Sequence, residues 1–185
     1  ALTQSGLHLN AIARLGDNGL IVVGERGLVA VSQDQGVTWK LSAPAYAGSF
    51  FGVLPTSANT ALVYGQRGRL YDIKDISRLQ AGDPASFDPL IMPSPDDAQA
   101  LKLGFRRILS PVEASLFGAT RLADGRVTLV GADAAVLLVD PLYQSATALK
   151  HAGSATYSRV FSKGNQLMVV GMNGITRLTL PENAQ

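Results

Sequence analysis

The chain contains no cysteine. Disulfide staples, thiolate nucleophiles and cysteine-ligated zinc are therefore excluded. Histidine is nearly as scarce. His8 and His151 are the only two, too few for a histidine-rich metal site. Glutamate occurs only as Glu25, Glu113 and Glu182, which leaves little material for paired-carboxylate chemistry. Lys and Arg are dispersed, no run of five like charges occurs, and the net charge is only +2. A nucleic-acid footprint needs clustered basic charge, so nucleic acid is not the expected partner. No apolar run approaches the roughly 18 residues of a membrane-crossing helix, since GLIVVG and AAVLLV are strand-sized. Phosphate-binding loops are also missing. Gly24-Glu25-Arg26-Gly27 lacks the Lys-Ser/Thr of a P-loop and opens a strand rather than a helix. With no haem or metal motif either, the sequence predicts no cofactor.

What is present is apolar and repetitive. The chain has 185 residues, about one domain, and 46% of them are hydrophobic, enough for a packed core. Nineteen glycines point to a turn-rich, all-β fold. Four segments align: LNAIARLGDNGLIVVGERGLVAVS (9–32), FFGVLPTSANTALVYGQRGRLYDI (50–73), LFGATRLADGRVTLVGADAAVLLV (116–139) and YSRVFSKGNQLMVVGMNGITRLTL (157–180). Each reads as a strand, a polar turn, an apolar strand ending in a pivot glycine (Gly24, Gly65, Gly131 or Gly171), a tight turn and a third strand. Asp17-Asn18-Gly19, Asp124-Gly125 and Lys163-Gly164-Asn165 supply hairpin chemistry between strands one and two. In the turns between strands two and three, glycines are expected to supply positive φ. The third repeat has Ala134 where the others have Gly, which predicts an altered turn there.

A fourth strand is predicted after each of the first three repeats, in VTWKLSA (37–43), FRRILSP (105–111) and TALKHA (147–152). Four-stranded antiparallel units of about 40–45 residues are β-propeller blades, and one blade cannot bury both faces of its sheet without neighbours. The predicted fold is therefore an all-β propeller of about four blades, as a whole ring or as part of a larger one. The blades span about 7–44, 49–111, 115–152 and 155–180, the last completed by an N-terminal strand over 1–6 or by a partner. The second blade carries a proline- and aspartate-rich insertion over 78–103, in which DDAQALKL is predicted to form a short helix capped by Asp96.

The loop SQDQGVTW places Ser32, Asp34, Gly36 and Trp39 between strands three and four of the first blade. Ser32 and Asp34 suit acceptance of hydrogen bonds from their own loop, Gly36 suits a left-handed turn, and Trp39 suits packing beneath it. The motif resembles the Asp-box, or BNR repeat, a structural staple remote from the active-site face. Blade two keeps only Asp75 of this pattern.

HLNAIARLGDNGLIVVGERGLVAVSQDQGVTWK, together with GSFFGV and SLFGATRLADGRVTLVG, resembles the photosystem II assembly and stability factor family (Ycf48/HCF136) and its relatives in non-photosynthetic bacteria. The resemblance covers about residues 7–180 outside the insertion. It implies a non-catalytic, protein-binding propeller, an assembly or scaffold factor for a membrane or envelope complex. The implied compartment is periplasmic or otherwise exported, with the cytoplasm as the alternative. The segment ALTQSG has neither the basic nor the apolar region of a leader. The family has seven blades and usually several Asp-boxes, whereas this sequence has four blades and one clear box. It is therefore either the C-terminal part of a longer propeller or a complete small ring, and an unclosed ring would demand a partner or a dimer.

The turns between strands two and three share a rim with the links from one blade to the next. That rim is the predicted binding face, presenting Glu25, Arg26, Arg67, Arg69, Asp133 and Asn173, with Tyr46 in the link between blades one and two. Arg26 and Arg67 occupy matching places in adjacent blades, so their guanidinium groups suit a partner's carboxylates. The alternative is a carbohydrate-binding or sialidase-like propeller. Such an enzyme needs an Arg triad and a Glu-supported Tyr nucleophile, for which Arg26, Arg67, Arg159, Tyr157 and Glu25 are the available residues.

Overall fold

The four repeats fold as four antiparallel sheets set side by side around an arc. The computed structural model describes residues 6–83, 87 and 95–181. The strand expected over 1–6 therefore lies, apart from Gly6, outside the described residues, as do Pro84, Asp88, Pro89 and Pro93 of the insertion. Blade one comprises β1 (Leu9–Leu15), β2 (Gly19–Gly24), β3 (Val29–Ser32) and β4 (Lys40–Leu41). Blade two comprises β5 (Phe50–Pro55), β6 (Ala61–Gly65), β7 (Leu70–Ile73) and β8 (Arg106–Arg107). Blade three comprises β9 (Leu116–Arg121), β10 (Val127–Gly131), β11 (Val136–Val139) and β12 (Ala146–Ala148). Blade four has β13 (Tyr157–Lys163), β14 (Gln166–Gly171) and β15 (Gly174–Thr179), with no fourth strand among the described residues. Strands within each blade are sequential neighbours. The first strands adjoin in turn, β1 beside β5, β5 beside β9 and β9 beside β13.

Because blades two and three are covered on both faces, β6 and β10 are buried at every position, which explains their unbroken apolar runs. Alternation along each strand divides the core into layers between blades. Ile21, Val23, Val29 and Val31 of blade one meet Ala61, Val63, Tyr71 and Ile73 of blade two. Leu62, Tyr64 and Leu70 then meet Val127, Leu129, Leu137 and Val139 of blade three, and Val130, Val136 and Leu138 meet Leu167 and Val169 of blade four. The first layer also holds an aromatic ladder. Ring centroids are 5.9 Å apart for Tyr46–Phe50, 5.9 Å for Phe50–Tyr71 and 6.2 Å for Tyr71–Phe105.

The pivot glycines serve a different purpose from the one expected. Gly24 and Gly65 are extended, with φ of −162° and −177°. What they need is space. In all four blades a Cβ on the pivot would collide with the carbonyl just before strand one, that of His8, Ser49, Ser115 or Thr156. The first strand bulges at that point in every blade, and the residue after the pivot donates its N–H to the same carbonyl. Positive φ falls later in the turn, at Gly27 and Gly68, and also at Arg26, Arg67 and Asp133, with φ of 54°, 56° and 53°. Ala134 keeps the left-handed geometry of the glycines it replaces, with φ of 55°. A Cβ in that region costs about 1–2 kcal/mol. Ala134→Gly is therefore expected to stabilise the fold by about 0.5–1 kcal/mol in urea unfolding, after the glycine's greater chain entropy is subtracted.

The fourth strands form where predicted, though shorter. The insertion contributes more than an excursion. Residues 80–82 run along the free edge of β4, with an Ser42–Ala81 bridge and bonds from Ala43 N–H to Gln80 C=O (2.8 Å) and from Gly82 N–H to Leu41 C=O (2.9 Å). An edge that would template strand pairing is thereby covered. Phe87 is 2% exposed and packs on the outer face of blade one against Val22, Leu28 and Ala30. Helix α1 (Asp97–Lys102) returns the chain to β8, and Asp96 caps it by accepting from Gln99 N–H at 2.7 Å.

Candidate functional site

The two arginine-bearing turns lie on either side of the link between blades one and two. Gly27 N–H donates to Gly48 C=O (2.7 Å) and Gln66 N–H to Ser49 C=O (2.9 Å). Tyr46 in that link donates its hydroxyl to Gln66 C=O at 3.3 Å. The guanidinium of Arg69 lies 5.4 Å from the Tyr46 ring centroid, so the ring face holds the cation in place. Beside it is a cleft of about 390 Å³ lined by Arg67, Gly68, Arg69, Arg107, Ser110, Val112 and Glu113. Arg67 is exposed and has no hydrogen bond or ion pair among the described residues. Arg107 reaches back to Asp97, with Nη1 3.1 Å and 3.2 Å from the two carboxylate oxygens.

The other predicted rim residues are placed elsewhere. Arg26 is half-buried and donates Nη1 to Phe87 C=O at 2.9 Å, tying its turn to the insertion. Glu25 accepts from His8 N–H at 3.1 Å, with His8 Nδ1 3.5 Å away. Asp133 and Asn173 are exposed in the corresponding turns of blades three and four, outside the cleft. Arg107 lies outside the predicted rim because it belongs to the fourth strand of blade two, not to a turn or a link. The paired arginines of FRRILSP, in an otherwise apolar strand, were the available signal. Of the sialidase-type set, Tyr157 is 3% exposed within the blade three–four layer, 5.8 Å from the His151 ring. Arg159 bonds the Phe117 and Ser158 carbonyls, at 3.2 Å and 2.8 Å.

On the opposite rim the SQDQGVTW loop bonds to itself. Ser32 Oγ donates to Asp34 Oδ1 (2.7 Å) and accepts from Gly36 N–H (2.8 Å). Asp34 also accepts from the Thr38 hydroxyl (2.6 Å) and Thr38 N–H (2.8 Å), and Trp39 Nε1 donates to Gly36 C=O (3.0 Å). The hydroxyl and N–H of Thr38, with the Ser32 hydroxyl, pull the Asp34 carboxyl down to about 2. Gln35 pins the loop to the first hairpin through Asn18, by its N–H at 2.9 Å and its side chain at 2.9 Å. Trp39 is half-buried against the Val22–Leu28–Ala30 layer, not wholly enclosed. Asp75 does similar work in blade two, accepting from Ser77 and Asn59. In blade three Asp140 gathers Leu142, Gln144 and Ser145. Burial pushes the Asp140 carboxyl up, but the bonds from Ser145, Leu142 and Gln144 outweigh it and hold the group below its ordinary value. Asp140 sits one position before the alignment of the first two blades, so register alone did not reveal it.

No helix among the described residues is long and apolar enough to cross a membrane. No protein-family model matches the sequence, and no curated protein matches it. Solved structures do match in shape. The arc is similar to the WD40 β-propeller domain of Doa1, with 10% identity and a TM-score of 0.68 over 95% of this chain and 52% of that one. It is similar to YCF48 bound to D1 peptide, with 15% identity and a TM-score of 0.64 over 96% of this chain and 50% of that one. It is also similar to the computationally designed Ika4 protein, with 9% identity and a TM-score of 0.61 over 94% of this chain and 92% of that one. The chain spans about half the length of the first two. At such identities the likeness concerns fold, and the fold it shows is the β-propeller.

Proposed function

We propose that this propeller is a non-catalytic, protein-binding assembly or scaffold factor, and that it holds its partner by a carboxylate in the Arg67–Arg69–Arg107 cleft. The observation that carries the reading is the charge arrangement there. Among the described residues, three arginines line one cleft in which Glu113 is the one acidic lining residue, and Arg67 has no hydrogen bond or ion pair. Planar guanidinium forks match carboxylates bidentately, and the Tyr46 ring orients Arg69 before any ligand arrives. Burial of Tyr157 argues against its use as a nucleophile. The solved YCF48 propeller is bound to a peptide, which supports peptide as the class of ligand. A membrane or envelope complex is the proposed setting, in a periplasmic or otherwise exported location.

The test is fluorescence anisotropy with acidic and neutral peptides, run alongside a glycan array. Acidic peptides are expected to bind. Arg67→Glu and Arg69→Glu should each weaken them about tenfold or more, the equivalent of one charge-assisted bond of about 1.5–3 kcal/mol. Sialoside binding on the array, lost in the same variants, would favour the carbohydrate-binding alternative. Peptide affinity unchanged by both substitutions would remove the cleft from consideration.

A further inference from the structure

One wall of the arginine cleft is the link from β8 to β9, and a serine fixes its shape. Ser110 Oγ donates to Val112 C=O (3.0 Å) and accepts from Val112 N–H (3.2 Å), which closes the link into a tight turn. The link is seated on the arginine turn at Gly68, where an added Cβ would collide with the Val112 carbonyl. Val112 and Ala114 both pack into the layer between blades two and three. With its neighbours anchored inward on either side, Glu113 is left exposed among the residues that line the cleft.

Glu113 has no hydrogen bond or ion pair among the described residues, although Arg67, Arg69 and Arg107 line the same cleft. Arg69 lies against the Tyr46 ring instead, and Arg107 pairs with Asp97. The cleft therefore displays an unneutralised carboxylate beside guanidinium groups suited to a ligand's carboxylate. A ligand carboxylate answers only half of that surface. A ligand cation next to it answers the other half, whereas a second ligand carboxylate meets Glu113 as a like charge. Discrimination of this kind comes as much from the repelled partner as from the attracted one.

We infer that Glu113 sets the specificity of the cleft. It selects a segment in which the gripped carboxylate is accompanied by a lysine or arginine, and it rejects a segment with two neighbouring carboxylates. This inference rests on the carboxylate-binding reading of the same cleft, and it narrows the partner from an acidic segment to one of mixed charge.

Three labelled peptides test it by fluorescence anisotropy at about 150 mM salt, where charges far from the cleft are screened. All share one central glutamate. Two residues further on, the first carries serine, the second lysine and the third another glutamate. The serine peptide reports the arginine grip alone, and Arg67→Glu should weaken it. The lysine peptide should bind more tightly than the two-glutamate peptide, and Glu113→Gln should reduce the ratio of their affinities about fivefold. Asp133→Asn removes one negative charge from an exposed turn outside the cleft and should leave that ratio unchanged. Both replaced side chains are exposed, so circular dichroism should match the wild type. A ratio unmoved by Glu113→Gln, or moved equally by Asp133→Asn, overturns the inference, and the carboxylate reading stands if the serine peptide still depends on Arg67. A serine peptide that does not bind, or that is indifferent to both Arg67→Glu and Arg69→Glu, overturns the reading and the inference together.

Discussion

Replacing Arg106 by methionine is expected to destabilise the propeller by about 3–5 kcal/mol, the usual cost of stranding one member of a buried ion pair. Asp72 is 2% exposed on β7, and the register places it where blade one has Val31 and blade three has Leu138. A carboxylate therefore occupies a position that blades one and three fill with an apolar side chain. Arg106 Nη2 neutralises it at 2.6 Å and also donates to Tyr143 C=O (2.8 Å) and Leu142 C=O (3.3 Å). The pair thus joins blade two to the outer loop of blade three. Its geometry is incomplete, because Arg106 Nε is buried with no partner among the described residues. The double variant Asp72→Leu, Arg106→Met is accordingly expected to recover most of the lost stability, since an apolar pair removes both desolvation costs. Urea unfolding of the two single variants and the double variant checks this. Recovery is the diagnostic result, and strictly additive losses would mean that the ion pair is not the source of the cost.

The blades could be read from the sequence because their signals are local. Pivot glycines, hairpin turns and apolar strands all lie within about 25 residues of one another, and each reports on backbone within its own sheet. The reason for the pivots could not be read in the same way. Positive φ does fall on glycine in these turns, at Gly27 and Gly68, but Arg26, Arg67, Asp133 and Ala134 adopt it as well, and the extended pivots instead make room for a carbonyl. Pairings between distant segments were also hidden. Nothing near Ala81 announces its bridge to Ser42, and nothing near Phe87 announces its place on blade one. The candidate cleft was half legible for the same reason. Arg67 and Arg69 follow from the turn they flank, whereas Arg107 enters only because a strand some 38 residues later returns beside β7. Asp72 and Arg106 gave no sequence signal as a pair, since alternation along β7 gives no hint that one inward position is charged.

Gly65→Ala is expected to cost about 3 kcal/mol, the upper part of the range for forcing atoms into a close-packed site. Backbone strain does not enter, because φ of −177° is open to any residue. The cost is collision. An added Cβ would meet the Ser49 carbonyl oxygen, and it would lie 2.7 Å from Phe50 Cα and 3.0 Å from Phe51 N. All three are backbone atoms of a bulge packed on both sides, so no side chain can turn away to make room. Gly164→Ala provides the contrast. Its φ is +60° and nothing lies within 4 Å of the added atom, so only left-handed strain of about 1 kcal/mol applies. Equal losses for the two variants in urea unfolding would show that close approach is not what Gly65 supplies. Gly65 also bears on the candidate site. Displacing its bulge stretches the bond from Gln66 N–H to Ser49 C=O (2.9 Å) and shifts the Gln66 carbonyl that accepts from Tyr46. Tyr46 is the ring that positions Arg69, so Gly65→Ala should weaken acidic-peptide binding even under conditions where the variant remains folded, whereas Gly164→Ala should leave it unchanged.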